Sequence, residues 1–398
     1  MNSVSDLSLE RAAPTPFHPR LERFNLQGGW SSWNGYLAAE QYFDAEFEYF
    51  KVRNACGTYD ICPMQKYYVS GPDAEAMLDR MVTRDVTKMR VGRVGYVLWC
   101  TEEGRLIDDG TIFRIAEDAF MLTSGSPSTA WLKKSRVGFD SLLIEDKSDD
   151  LAALSLQGPT SCAVLRRMGL EGIAELQPFE IRHFELQHLR VMVSRTGFTG
   201  DLGYELWVDA EGALALWDAL YEAGEDFGIH PFGERATNML RLEAGFVMPG
   251  YEFNEALKTV HFEHDQTPFE LGLAWMVDFK KPHFNGRAAL LAESRRGPRF
   301  SLTKLDIEGN KTAEGSFIYD SRACRRDVGY VTSGMWSPVV KANIAYAMIE
   351  SKYLSGDLWA EVYYEKELRH YSKIARCRIK KAPFYAPKHA KLTPPADY

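Results

Sequence analysis

The order strand, Gly-Pro, helix occurs twice in this chain, and nothing else in it narrows the fold as much. Tyr67-Tyr68-Val69-Ser70-Gly71-Pro72 reads as a strand running into a helix start. Ser70 suits a cap, Pro72 a first helical turn, and Asp73 and Glu75 the positive end of a helix expected to run to Met81. The design returns at Leu154-Ser155-Leu156-Gln157-Gly158-Pro159, with a helical pattern to Met168 and a stop at Gly169. Two such units imply related α+β modules. No short period repeats, so the chain is not a solenoid.

Between the units, residues 94–100, 105–114 and 120–123 read as strands. Ala213, Leu216, Trp217, Leu220 and Tyr221 mark one face of a helix ending at Gly224. From about residue 300 the pattern turns to short strands, as at 301–307 and 342–350, and an all-β C-terminal domain is expected. The Lys- and Pro-rich segment from Lys380 is expected to be extended. Residues 1 to about 15 read as a loose tail, followed by an aromatic stretch and a helix around 41–52.

Composition excludes several classes. The 398 residues carry a net charge of -8, which argues against nucleic acid as a partner. The six cysteines form no CxxC and no zinc spacing, so no metal is expected and a reducing compartment fits. Met1 to Pro16 lacks a basic region followed by an apolar core, and no apolar run is long enough to span a bilayer. A cytoplasmic protein without membrane contact is the expectation.

The run Ser194-Arg195-Thr196-Gly197-Phe198-Thr199-Gly200-Asp201-Leu202-Gly203-Tyr204-Glu205-Leu206 reads as strand, glycine-rich turn, strand. Gly197, Gly200 and Gly203 permit backbone angles that other residues resist. Glu205 then stands at a strand mouth, either as a solvated hairpin residue or as a carboxylate accepting two N–H bonds from a flat heterocycle. Asp108 and Asp109, adjacent on a strand, point to opposite faces and leave one free to face a pocket. Residues 233–245 look helical, with Met239, Leu242 and Phe246 on an apolar face and Arg241 and Glu243 in surface ion pairs. Cys62 reads as a buried thiol, because no base is placed beside it by sequence.

The hairpin resembles the pterin-binding hairpin of the glycine-cleavage T-protein (aminomethyltransferase) family. Gly104-Arg105-Leu106-Ile107-Asp108-Asp109-Gly110 is similar to that family's Gly-Gly-x-Ile-Asp-Asp, and Val331-Thr332-Ser333-Gly334 through Ser337-Pro338 to its C-terminal barrel signature. The resemblance implies a three-domain ring of the α+β class, with two folate-binding α+β domains and a C-terminal β-barrel. The segments 1–65 and 151–265 would form the first domain, 66–150 the second and 290–398 the barrel. It implies tetrahydrofolate as co-substrate, with Asp108 beside N5 and N10, Glu205 orienting the pterin and Met64 packing on the folate. Leu122 falls where a backbone contact to the pterin is made, Phe198 replaces a tyrosine, and Tyr96 and Trp275 are pocket candidates that core packing explains equally well. The family's tail-binding arginine falls at Thr237, so that role passes to Arg235, as in the folate domains of dimethylglycine and sarcosine dehydrogenases.

Tyr59-Asp60-Ile61-Cys62-Pro63-Met64 stands where the glycine-cleavage enzymes have Phe-Asp-Val-Ser-His-Met. That departure puts the lipoyl-bound donor in doubt. No Gly-x-Gly-x-x-Gly flavin fingerprint is present, so no flavin is expected. The leading expectation is methyl transfer from a small sulfonium, betaine-like or methylamine donor to N5 of tetrahydrofolate. Trp30, Trp33, Tyr36 and Trp99 are candidates for an aromatic cage around a cationic donor, or for packing. The alternatives are the glycine-cleavage aminomethyltransferase, which alone would need a lipoyl carrier protein, and a non-catalytic folate-binding regulator. The role of Asp109 and a homodimeric state stay open.

Overall fold

The computed structural model describes residue 9, residues 11–259 and residues 265–395, and two sheets and a barrel organise them. A five-stranded antiparallel sheet has the order Arg93–Cys100, Leu106–Ala116, Ala119–Ser124, Gln65–Ser70, Leu143–Asp146. A six-stranded sheet has the order Ile181–Leu186, Leu189–Ser194, Gly203–Asp209, Leu151–Gln157, Gly57–Asp60, His230–Pro231. The closed barrel holds Phe300–Ile307, Ala342–Glu350, Asp327–Ser337, Phe317–Tyr319, Leu358–Lys366 and Arg369–Lys380. Mixed α+β layers followed by a barrel match the expected class.

Strand alternation explains the layering. Leu154, Leu156 and Leu206 of the six-stranded sheet pack on Val164, Leu165, Leu216 and Leu220 of helices Ser161–Arg167 and Ala213–Gly224. Its opposite face supplies Ala153, Met192 and Trp207, which meet Phe113 and Met121 of the five-stranded sheet. That sheet's far face sets Val69, Val97 and Leu122 against Met77, Leu78 and Trp131 of helices Ala74–Met81 and Thr129–Ser135. The result is helix, sheet, sheet, helix.

Both Gly-Pro turns need their glycine. Gly71 and Gly158 have φ of +116° and +126°. A Cβ at either would strike backbone oxygen, Ser141 O at 2.6 Å or Val52 O at 2.6 Å. Ser70 does not cap the following helix. It ends its strand, the Gly71-Pro72 turn intervenes, and the helix opens after Asp73, whose carboxylate accepts from the Ser141 N–H instead (2.8 Å).

Other expectations are corrected by burial. Residues 1–8 and 10 of the expected loose tail lie outside the described residues, but Thr15 is buried and donates to Asp60 Oδ2 at 2.6 Å. The first long helix is Ala45–Asn54, started by Asp44, which accepts from the Phe47 N–H (2.9 Å). The segment after Lys380 is not simply extended. It makes a 3-10 turn at Lys388–Ala390 and folds back onto the glycine-rich hairpin. There His389 pairs with Asp201 (2.6 Å), and Arg195 Nη2 donates to the Ala390 and Leu392 carbonyls.

Arg241 and Glu243 are fully buried, not surface ion pairs. Helix Glu234–Ala244 uses them to join the barrel. Arg241 pairs with Glu252 and donates to Ser333 Oγ (2.8 Å). Glu243 accepts from Arg53 Nη2 (2.8 Å), Tyr49 (2.7 Å) and Ser337. A buried charge needs such partners, and periodicity alone did not show that this helix is enclosed on both sides.

Candidate active site

Strand Leu106–Ala116 is bulged just before its acid pair. Trp99 lies opposite Asp108 and Cys100 opposite Leu106, so Ile107 is the extra residue. Asp108 therefore shares a face with Trp99, and Asp109 lies on the other face with Tyr96. The Tyr96 hydroxyl donates to Asp109 Oδ2 at 2.6 Å. Asp108 is 1% exposed. Its Oδ1 accepts from the Asp109 N–H (2.8 Å), and its Oδ2 has no hydrogen-bond partner among the described residues. Burial, and then the Asp109 charge, push the Asp108 carboxyl well above its ordinary range. Burial also raises Asp109, to about 6, against the favourable hydrogen bond from Tyr96.

Glu205 sits in strand Gly203–Asp209 beside Leu189–Ser194, across from Ser194. Thr196 Oγ1 donates to its Oε2 at 2.7 Å. Burial raises its pKa, which the Thr196 and Ser194 hydroxyls partly offset. Its Oε1 has no hydrogen-bond partner among the described residues. Only Gly200 of the three hairpin glycines has positive φ, at +75°. Gly197 and Gly203 are needed for space, because the Gln157 amide stands where their Cβ atoms would go. Gln157 Nε2 in turn donates to Ser155 Oγ (2.9 Å) and Thr196 O (3.2 Å).

The remaining candidates divide. Met64 is half-buried against the cluster between the two sheets. Phe198 stacks on Phe246, centroids 5.4 Å apart. Arg235 is exposed at the start of its helix and pairs with Glu40 Oε2 (2.8 Å). Leu122 is buried mid-strand with ladder partners Tyr67 and Ile112. Trp275 is 68% exposed.

The four cage candidates have different surroundings, although Trp33 and Tyr36 are ladder partners. Trp99 is wholly buried in the sheet's helix-side core. Trp30 packs edge-on to Tyr42, and Tyr36 donates to Asp149 (2.6 Å). Trp99 is the ladder partner of Asp108, and the loop beside Asp108 is reached by Trp33. Its Nε1 donates to Gly125 O (3.0 Å), and the next residue, Ser126, has its amide beside Asp108. Trp33 also stacks with Tyr59, centroids 6.3 Å apart. Cys62 is buried, its thiol pushed far up by desolvation and by Asp60, as a structural thiol requires.

Sequence reasoning missed Glu255. Its neighbour Ala256 donates its N–H to Leu106 O (3.0 Å), which brings a distant loop against the strand carrying the acid pair. Nothing local marks that residue. The Tyr96–Asp109 bond had a usable signal, because an antiparallel pairing of 94–100 with 105–114 sets the two on one face.

Residues 22–281 match the GCVT N-terminal domain and residues 301–386 the glycine cleavage T-protein C-terminal barrel domain. An aminomethyltransferase of Caldanaerobacter subterraneus subsp. tengcongensis is 31% identical over 351 residues, 87% of this chain and 90% of that protein. A trimethylamine-oxide aldolase of Ruegeria pomeroyi is 34% identical over 353 residues, 84% of this chain but 43% of that longer protein. The crystal structure of a glycine cleavage system aminomethyltransferase T from Bartonella henselae superposes with a TM-score of 0.80 at 25% identity, covering 94% of this chain and 98% of that one. The chain belongs to the glycine cleavage T-protein family. It is a tetrahydrofolate-dependent one-carbon transferase.

Proposed function

We propose that the chain moves a one-carbon unit from a small nitrogen- or sulfur-bound donor to N5 of tetrahydrofolate. The observation that carries this reading is the orphaned, buried Asp108 Oδ2 beside the Tyr96–Asp109 pair. Such an oxygen calls for a partner, and a ligand that supplies one is an explanation. Glu205, with Oε1 uncommitted, holds the pterin edge through its N–H groups, and Phe198 and Met64 give apolar surface. Arg235, exposed at the rim, serves a glutamate tail. Orientation and placed charge are effects of the right kind for this transfer.

Two donors fit. The aminomethyltransferase relatives favour aminomethyl transfer: the carbon passes from a lipoyl sulfur to N5 and N10, and ammonia and the free dithiol leave. Direct methyl transfer is favoured by the buried Cys62-Pro63 step and by a relative named for trimethylamine oxide. In that case the N5 lone pair attacks the methyl carbon. The bond to nitrogen or sulfur breaks with its electrons on the leaving group, and the N5 proton passes to the Asp108 carboxylate.

The folate product, read by mass, separates them. 5-Methyltetrahydrofolate from a methylated donor supports methyl transfer. 5,10-Methylenetetrahydrofolate formed only with aminomethyl-lipoyl protein supports glycine cleavage. Absence of either product, with no tetrahydrofolate binding, rejects the whole reading.

A further inference from the structure

We infer that Thr196 is a positioning residue for the pterin: its hydroxyl is the last link of a one-way hydrogen-bond relay, running from Trp207 through Ser194, that aims the Glu205 carboxylate at the ligand. This rests on the reading of Glu205 as the carboxylate that holds the pterin edge, and it names what orients that carboxylate.

The relay lies on one face of the six-stranded sheet. Ser194 and Ser155 stand opposite Glu205 on its two neighbouring strands, and Trp207 follows two residues later on the same side. Trp207 Nε1 lies 3.4 Å from Ser194 Oγ, Ser194 Oγ 2.7 Å from Thr196 Oγ1, and Thr196 Oγ1 2.7 Å from Glu205 Oε2. The end groups set the order of the protons. An indole N–H only donates, and a carboxylate only accepts. Thr196 has one hydroxyl proton and gives it to Glu205, so in its bond with Ser194 it accepts. Ser194 therefore donates to Thr196 and accepts from Trp207. Every link points its proton toward Glu205, and bonds chained in this way polarise one another.

A second set of bonds fixes where Thr196 stands. Gln157 Nε2 donates to Thr196 O (3.2 Å), and Gln157 Oε1 accepts from Thr199 Oγ1 (3.0 Å). One buried amide thus ties the chain on both sides of Gly197-Phe198. The charged side chains of the hairpin are engaged elsewhere. Arg195 donates to the Leu176, Ala390 and Leu392 carbonyls, and Asp201 pairs with Arg53 and His389. Among the described residues, the Glu205 side chain has the Thr196 hydroxyl as its near partner and the Ser194 hydroxyl at 3.4 Å, both on Oε2. That leaves Oε1 for a ligand.

Fluorescence titration of the full chain with tetrahydrofolate tests the relay. Thr196→Val keeps the shape and removes the hydroxyl, and binding about 10-fold weaker is expected at neutral pH. Burial raises the Glu205 carboxyl against the pull of the two hydroxyls. Losing one lets it protonate at higher pH, so the acidic fall in affinity should begin at higher pH in T196V. Thr196→Ser keeps the hydroxyl and should bind within about 3-fold of the unaltered chain, with the same pH limb. An unchanged Kd and pH limb in T196V, where Glu205→Gln is weakened, overturns the inference. So does a loss in T196V that T196S shares, because the hydroxyl is then not what matters. Should T196V not fold, Ser194→Ala carries the test: weakening by about 3-fold supports the relay, and an unchanged Kd overturns it. E205Q binding as tightly as the unaltered chain strikes the pterin role of Glu205 instead, and no tetrahydrofolate binding by the unaltered chain strikes the proposed function.

Discussion

Tyr96 gives its phenolic proton to Asp109 at 2.6 Å, on the face of the strand opposite Asp108. Two carboxyl groups adjacent in sequence are thereby made unlike. Burial raises both carboxyls, Asp109 to about 6 and Asp108 well above its ordinary range, and the Asp109 charge adds to the push on Asp108. A carboxylate whose pKa is raised by burial is a stronger proton acceptor, which suits the proposed removal of a proton from N5.

Removing the phenol takes away the hydrogen bond that holds the Asp109 pKa down. Tyr96→Phe strips Asp109 of the bond that favours its charged form, so its pKa rises further. The acidic limb of the kcat profile is expected to move to higher pH, with kcat down roughly 10-fold at neutral pH. A profile superimposable on that of the unaltered enzyme would refute the coupling.

The same pair shapes stability. The folded-state value of Asp109, about 6, exceeds the ordinary unfolded value of about 4, so the folded chain binds the extra proton between them. The resulting destabilisation is absent below about pH 4, grows as pH rises, and is complete above about pH 6. Asp109→Asn removes it. Thermal melts at pH 4 and pH 7 should show the variant gaining on the unaltered chain at the higher pH only.

Asp108→Asn keeps the shape of the side chain and loses its ability to take a proton. Turnover is expected to fall by about 100-fold or more, with tetrahydrofolate affinity within a few-fold. Fluorescence titration and single-turnover product assays separate the two effects.

Glu205→Gln replaces one of two carboxylate acceptors with an amide. Loss of a charge-assisted bond should weaken tetrahydrofolate by about 1.5–3 kcal/mol. Equilibrium binding measures it, and an unchanged Kd would remove Glu205 from the pterin.

Arg241→Met leaves Glu252 buried without its partner. A cost of about 3–5 kcal/mol in denaturant unfolding is expected. The double change to Met and Gln should recover part of it.

Much of this fold was legible from periodicity. Helix Ala213–Gly224 and strand Ala342–Glu350 fall at the predicted positions because each has one buried face and clear end signals. Legibility failed where burial depends on a distant partner. Arg241 and Glu243 look like surface charges until strand Asp327–Ser337 covers them. Trp99 reads as a ligand face until helix Ala74–Met81 closes over it. At the candidate site, Asp108 and Glu205 are singled out by the motif resemblance, since the local strand and turn pattern alone leaves a solvated residue open at each. Glu255 is not, because only a loop docking on Leu106 brings it there.

The fold-back of residues 381–395 onto the hairpin bears on how the protein is made. Arg195 reaches carbonyls of Ala390 and Leu392, and Asp201 is held by Tyr385 and His389. The hairpin that presents Glu205 emerges from the ribosome long before those residues exist. At synthesis rates of about 5–20 residues per second, the delay is on the order of ten seconds or more. Throughout that interval the nascent hairpin lacks its outer brace, so chaperone dependence and proteolytic nicking should concentrate at residues 195–202 of the unfinished chain.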